Sequence, residues 1–210
     1  MIVKIARELS TPRRGLSPNY SEFHVIMTFF ILGECPMGRK ALAERLALGE
    51  GTARTLIEKL QGMGLVRTSP TGCHLTKKGN EMLADFKKRV SYRPKIETGM
   101  MTLGKANSAV LIRDSAKLIK SGMEQRDAAV SAGTMGASTI ILGETGPRIP
   151  TITADENMRT RMRVLCEDVC MQAGDVLVIG TGETEGEAER AAWAAAYTIL
   201  RKERCNYAKN

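Results

Sequence analysis

A predicted helix, EGTARTLIEKLQGM, places polar side chains on one side and apolar side chains on the other. Gly51, Arg54, Thr55 and Glu58 recur at helical spacing on the polar side. An arginine can donate two hydrogen bonds to a guanine edge, and a glutamate can accept one from a cytosine amino group. This side is therefore a candidate surface for reading DNA bases. The same residues also fit an ordinary exposed helix, since Arg54 and Glu58 have the spacing of an i, i+4 ion pair.

Further polar side chains near this helix suit contacts with a phosphate backbone. Lysine and arginine neutralise phosphates and make affinity depend on salt, whereas hydroxyl groups hydrogen-bond to phosphate oxygens. Arg13 and Arg14 suit a flexible arm that reaches into the minor groove. The other candidates are Arg39, Lys40, Thr52, Lys59, Arg67, Thr68 and Ser69.

Three stretches of the second half suit a small ligand. GMEQRDAAVSAG can begin a helix at Gly122, whose N-terminal amides would attract an anion. GETGPR forms a polar turn, and IGTGET is a glycine-containing turn of the kind that approaches phosphates. Each stretch also fits a purely structural connection, which we favour for all three. The candidate ligand residues are Glu124, Gln125, Arg126, Asp127, Glu144, Arg148, Thr181 and Gly182.

The second half offers little for catalysis. It contains no histidine, no serine nucleophile elbow and no metal-ligand cluster, so acid–base chemistry would rest on carboxylates such as Glu183. Five cysteines without a CxxC pair argue against a disulfide framework and a zinc site. Cys166 and Cys170 would share a helix face, which keeps a metal or redox role open. We expect neither an enzyme nor a cofactor.

The positive charge is unevenly distributed along the 210 residues. Residues 1–104 contain 17 lysines and arginines against 9 aspartates and glutamates, whereas residues 105–210 contain 14 of each. A basic half beside a neutral half is expected when one domain meets a polyanion. The sequence shows neither a signal peptide nor a membrane span, so we expect a cytoplasmic protein without membrane contacts.

The first half has the pattern of a small helical domain. The apolar periodicity predicts a first helix from Ser17 to Gly33 and a short second helix around Leu42 and Leu46. The third helix begins near Glu50, and a β-hairpin spans residues 65–75. Thr76 is expected to cap a further helix, whose apolar positions are Met82, Phe86 and Val90.

This order, with the phrases EGTARTLIEKLQGMGLV and GCHLTKKG, closely resembles winged-helix transcription regulators, especially archaeal ones. The resemblance covers roughly residues 17–90 and depends on the combined order rather than on one motif. It implies that the third helix enters the major groove of double-stranded DNA. It also implies that the hairpin, the wing, lies along the backbone or the minor groove.

The second half, after a predicted linker at residues 91–104, alternates strands and helices. The order β-α-β-β-α-β, followed by a C-terminal helix, matches a ferredoxin-like arrangement, with a doubly wound sheet as the alternative. The fold class is therefore α+β, with domains at residues 1–90 and 105–210. In the last helix Trp193, Tyr197 and Leu200 form a bulky stripe that suits either a dimer surface or ordinary core packing.

These patterns predict a DNA-binding transcription regulator. The C-terminal domain is expected to sense a small-molecule effector, to form a homodimer, or both. One alternative is an enzyme or metabolite-binding domain fused to a winged helix. Another is a winged helix used as a protein-interaction module, because a fold does not determine a function.

Overall fold

The computed structural model describes residues 1–12 and 18–207 of the chain. It divides into two compact units, Met1–Lys88 and Arg89–Asn210. Helices dominate the first unit and a five-stranded sheet organises the second. The predicted α+β class is confirmed.

The first unit contains the predicted order of helices and hairpin. Its elements are α1 (Ile2–Ser10), α2 (Glu22–Glu34), α3 (Arg39–Leu46), α4 (Glu50–Gly62), β1 (Val66–Ser69), β2 (Gly72–Leu75) and α5 (Lys77–Lys87). The helix cap predicted at Thr76 is present, because its hydroxyl accepts a hydrogen bond from the Gly79 amide at 3.1 Å. The last predicted apolar position of this helix, Val90, instead begins a strand of the second unit.

The N-terminal segment differs from the prediction in two respects. Helix α1 was missed, although Ile2, Ala6 and Leu9 give it an apolar face that is buried against α2. Helix α2 begins at Glu22 rather than Ser17, because Ser21 caps it in a capping box in which the Ser21 amide donates to Nδ1 of His24 at 3.0 Å. Ser17, Arg13 and Arg14 lie outside the described residues.

The turn between α3 and α4 sets the direction of α4. Ala47 adopts a left-handed conformation (φ 51°) that ends α3, and α4 begins three residues later. Leu42 and Leu46 of α3 and Leu56 of α4 are buried, which ties the two helices together. The hairpin is held close by, since Gly72 packs on the backbone before α3: a Cβ there would lie 2.6 Å from the carbonyl carbon of Met37.

The second unit is built on one antiparallel sheet. Its elements are β3 (Val90–Arg93), β4 (Ala106–Ile112), α6 (Met123–Ser131), β5 (Gly136–Gly143), β6 (Gly146–Arg148), α7 (Glu156–Asp168), β7 (Val176–Gly182) and α8 (Glu185–Tyr207). The strand order is β3-β4-β7-β5-β6. All neighbouring strands are antiparallel, which excludes the doubly wound alternative.

The β-α-β-β-α-β element order is confirmed, but the ferredoxin-like arrangement is wrong. In that fold the helices cover one face of the sheet, whereas here they cover both. Helix α7 buries Met162 and Leu165 against the face formed by Leu111 and Leu177. Helix α8 covers the opposite face, where Gly180 of β7 approaches its backbone: a Cβ on Gly180 would lie 2.1 Å from the Ala192 nitrogen.

Strand β3 shortens the predicted linker and decides between the two interpretations of the bulky stripe on the last helix, a dimer surface or core packing. Residues 91–93 belong to this strand, which pairs with β4 and places Tyr92 against Trp193, with ring centroids 5.3 Å apart. Trp193, Tyr197 and Leu200 are buried inside the unit. This stripe is therefore core, because the missed strand extends the sheet beneath α8.

The pairing of Cys166 with Cys170 on one helix face is also wrong. Helix α7 ends at Asp168, and Cys170 follows with a left-handed conformation (φ 53°). Cys166 is buried, whereas Cys170 is exposed.

Within the described ranges, no helix combines the length and apolar character needed to cross a bilayer.

Candidate nucleic-acid interface and ligand cavity

Helix α4 has one buried face and one face open to solvent. Its apolar residues Ala53, Leu56, Ile57 and Leu60 are at most 1% exposed, so they fix the orientation of the helix. The opposite face is exposed and carries the predicted reading residues Gly51, Arg54, Thr55 and Glu58. The structure thus brings these four side-chain positions together on one surface.

Two of these residues, Arg54 and Glu58, form an ion pair with each other. Nε of Arg54 lies 2.8 Å from Oε1 of Glu58, and the two side chains are 67% and 56% exposed. The hydrogen bond with Glu58 raises the pKa of Arg54 above its ordinary value. Thr55 donates its hydroxyl proton to the Gly51 carbonyl at 3.0 Å. Because exposed ion pairs contribute little to stability, Arg54 can leave Glu58 for a stronger partner.

The first turn of α4 is bare, in the sense that glycines at and next to its start present no side-chain atoms. Gly49 precedes the helix, Gly51 lies within it, and no atom lies within 4 Å of the position that a Cβ would occupy on either residue. Neither glycine has the positive φ that would require glycine. A glycine inside a helix lowers stability relative to alanine, so no contact among the described residues of the unit explains Gly51. A close approach by another molecule would explain it.

The predicted phosphate contacts fall into two groups. Arg39 and Lys40 at the start of α3, and Arg67 on β1, are exposed and have no ion-pair or hydrogen-bond partner among the described residues. Lys59 instead donates to the Tyr20 hydroxyl at 2.9 Å and to the Leu9 carbonyl at 3.3 Å. Lys59 therefore ties α1 and the segment after it to α4.

The hydroxyl groups predicted for the interface are mostly engaged locally. Thr68 accepts from Nε2 of Gln61 at 2.9 Å, and Ser69 Oγ accepts from the Thr71 amide at 3.2 Å in the hairpin turn. Thr52 is half-buried on α4. These residues shape the hairpin and the helix, while the cations above remain available to a phosphate.

The net charge can be counted for each structural unit instead of on either side of residue 104. Met1–Lys88 contains 14 lysines and arginines against 8 aspartates and glutamates, and the rest of the chain contains 17 against 15. The net charges are therefore +6 and +2, so most of the excess still lies in the unit that carries α4.

Two predicted ligand residues of α6 are engaged inside the second unit. Gln125 is buried and donates to the Thr198 hydroxyl at 2.6 Å. Glu124 pairs with Arg201 at 2.8 Å and with Lys202. Burial raises the pKa of Glu124, but the hydrogen bonds from Lys202 and Arg201 outweigh it and hold the pKa below its usual value. Both residues attach α6 to α8.

The glycine-containing turn after β7 is filled by packing. A Cβ on Gly182 would lie 2.5 Å from the Glu187 side chain, and Thr181 Oγ1 accepts from the Gly104 amide at 2.9 Å. The glycines let α8 lie close on the sheet, so this turn has no room for a phosphate on the side of α8. Glu144 and Arg148 are exposed in the β5–β6 hairpin.

A cavity of about 330 Å³ lies in the second unit beside the N-terminus of α6. Of the predicted ligand residues, Arg126 and Thr181 line it. Asp127, although exposed on the same helix, does not. Sequence reasoning missed Ser138 and Thr139 of β5, which also line it. The only signal for them was a pair of hydroxyl residues in the strand GASTIILG, which sheet packing explains equally well.

Comparisons with known proteins cover both units. Residues 23–81 match the family described as "PH0730-like, N-terminal domain", and residues 103–199 match the family described as "Domain of unknown function (DUF4443)". The structure is similar to that of "Hypothetical protein PH0730 from Pyrococcus horikoshii OT3", with a TM-score of 0.71 and 28% identity. The similarity covers 88% of this chain and 95% of that chain. Proteins with curated descriptions gave no match.

Proposed function

We propose that the chain is a DNA-binding transcription regulator and that Met1–Lys88 is a winged-helix domain whose helix α4 enters the major groove. The observation that carries the proposal is the exposed face of α4. It presents an arginine, a threonine and a glutamate beside a bare first turn, on a helix whose other face is fixed by the core. A helix of this kind fits the major groove, where base edges are read.

Arg54 is the central base-reading residue of this proposal. In the unbound protein its guanidinium is held by Glu58, and on DNA it would exchange this carboxylate for the O6 and N7 acceptors of a guanine. Glu58 would then be released to accept from a neighbouring cytosine amino group or to face solvent. The exposed ion pair keeps Arg54 extended along the helix at little energetic cost.

The cations without partners supply the sequence-independent part of the affinity. Arg39 and Lys40 lie at the first turn of α3, and Arg67 lies on the strand next to the hairpin turn. In winged-helix domains these positions flank the helix in the groove, so they would meet phosphates on either side of it. Lys59 is left out of this set because its ammonium group holds Tyr20.

The second unit supplies the regulatory part of the proposal, namely effector binding, self-association, or both. Two copies of the chain would place two α4 helices on half-sites about 34 Å apart along the DNA. Palindromic target sites would follow from the twofold symmetry of such a homodimer.

The test is selection of DNA sites from a random pool, followed by affinity measurement for Arg54→Ala. We expect the wild-type chain to enrich a defined sequence and Arg54→Ala to lose about 1–3 kcal/mol of discrimination at a guanine. Lys88→Ala is the matched control, because Lys88 also forms an exposed ion pair, with Asp85 at 3.1 Å, but at the end of α5. No enrichment, or equal losses in the two variants, would contradict the assignment of α4.

A further inference from the structure

The cavity in the second unit lies along an open strand edge. Strand β5 pairs with β7 from Gly136 to Ile141, but β6 pairs only with Ile141 to Gly143. On that side residues 136–140 have no strand neighbour among the described residues. The cavity occupies this edge, between β5, the start of α6 and residues 149–152. Residues 136–139 of this edge form part of the cavity wall.

One polar side chain in the cavity wall has no partner. Thr139 is only 3% exposed, and its Oγ1 makes no hydrogen bond with the described residues. Gly122, which precedes α6 with a φ of 78°, lies directly beside it: a Cβ there would be 3.8 Å from Oγ1. A buried hydroxyl without a partner destabilises the folded chain unless something else satisfies it.

The charges around this hydroxyl favour an anion. The N-terminus of α6 lies at the cavity, since Ser121, Gly122 and Met123 line it, and it carries the positive end of the helix dipole; the Met123 amide donates to the Ser121 hydroxyl at 3.4 Å. Arg126 is the one charged residue among those that line the cavity, and it has no ion-pair partner in the described parts of the chain. Its aliphatic stem lies over Gly136, where a Cβ would be 3.8 Å from its Cγ.

The rim of the cavity is apolar. Seven large hydrophobic side chains are exposed among the described residues, and four of them line this cavity: Leu103, Met123, Met135 and Ile152. Leu103 is 92% exposed. Such side chains concentrated around one cavity indicate a surface that is covered when the site is occupied.

We propose that this cavity binds a small organic anion, a carboxylate or phosphate ester with an apolar chain. Its anionic group accepts hydrogen bonds from the Thr139 hydroxyl, the first amides of α6 and Arg126. Its chain covers the apolar rim. The volume is near the lower end of the range for small-molecule sites, about 300–1,000 Å³, which fits a metabolite-sized ligand. The inference deepens the effector-binding part of the proposed function.

The test uses the full chain without DNA, so that it can fail independently of DNA binding. Hexanoate and hexyl phosphate are titrated against ¹⁵N-labelled protein, with 1-hexanol as the uncharged probe. We expect saturable shifts of the Gly136, Thr139 and Arg126 amide signals with the two anions only. No saturable shift, or equal affinity for 1-hexanol, would overturn the proposal.

Two variants separate ligand binding from a structural role. Arg126→Gln is expected to weaken anion binding at least about tenfold, because hydrogen bonds to charged groups are strong. Arg163→Gln on α7 is the matched control, since Arg163 is exposed but does not line the cavity.

The second variant, Thr139→Val, keeps the shape of the side chain but removes the hydroxyl. Without ligand its unfolding temperature should equal or exceed that of the wild type, while its anion affinity falls. A lowered unfolding temperature of Thr139→Val would show that the Thr139 hydroxyl stabilises the fold. Either that result or an unchanged anion affinity would refute the assignment of Thr139 to the ligand site.

Discussion

Gly51→Ala separates stability from DNA binding on helix α4. The new methyl group would point into open space, because no described atom outside the neighbouring helix backbone lies within 4 Å of the Cβ position. Alanine is the better helix former, and Gly51 lies in the first turn, so we expect a gain of roughly 0.5 kcal/mol, the lower end of the range for this exchange. If DNA approaches this turn closely, the same methyl group must weaken the complex, by about 1–3 kcal/mol when the contact is tightly packed.

Urea unfolding measures the first effect, and fluorescence anisotropy with selected DNA measures the second. Gly62→Ala is the matched control, since Gly62 lies in the last turn of the same helix and also has open space at its Cβ position. We expect the control to be at least as stable as the wild type and to bind DNA normally. A Gly51→Ala variant that gains stability and binds DNA with unchanged affinity would refute the explanation of Gly51 by close approach.

Three further predictions concern the second unit. Asp175→Ala should lower the free energy of unfolding by about 2–4 kcal/mol in urea titrations. The reason is that the buried carboxylate accepts hydrogen bonds from Arg113 at 2.5 Å and from the Gln172 amide at 2.8 Å. A loss below about 1 kcal/mol would argue against this network. The pKa of Glu124 is lower in the folded chain than in the unfolded chain, so the Glu124 carboxylate stabilises the fold at pH values above its unfolded pKa. This stabilisation is lost as the pH falls through the lower pKa of the folded chain. The wild type should therefore lose more stability than Glu124→Gln between about pH 5 and pH 3, and parallel curves would contradict this. Burial, and to a smaller degree the charge of Glu167, raises the pKa of Cys166 to about 11. Iodoacetamide at about pH 8 should therefore alkylate the exposed Cys170 and spare Cys166 until the chain unfolds. Peptide mass spectrometry of the treated protein checks this result.

The first unit was largely predictable because its elements have strong local signals. The apolar spacing of α4 and the cap at Thr76 each determine an element without knowledge of distant residues. The start of α2 was misplaced because the periodic apolar residues begin after Ser21, which caps the helix. Helix α1 has the same kind of periodic signal, since Ile2, Ala6 and Leu9 lie on one apolar face, but its nine residues were not predicted as a helix.

The second unit was less predictable because its topology depends on contacts between distant residues. Strand β3 is four residues long, and its place at the sheet edge is determined by the packing of Tyr92 on Trp193, about 100 residues away in the chain. No local pattern distinguishes helices on one face of the sheet from helices on both faces.

The two candidate sites differ in the same way, because one follows from local sequence and the other depends on distant residues. The exposed face of α4 follows from helical spacing, so Arg54 and Glu58 were found together. The cavity depends on an open strand edge, and Thr139 is indistinguishable in sequence from any threonine in a strand. Lys59 could not be separated from the phosphate contacts, because its partner Tyr20 belongs to another segment.

DNA affinity as a function of salt concentration tests the central claim most directly. Three cations near α4, namely Arg39, Lys40 and Arg67, have no partner among the described residues. If each neutralises one phosphate, the logarithm of the binding constant should fall with the logarithm of salt concentration with a slope on the order of −3 for each bound domain. Arg67→Ala should make that slope less steep by about 0.9. Absence of DNA binding at low salt, or a slope that is unchanged in Arg67→Ala, would contradict the account.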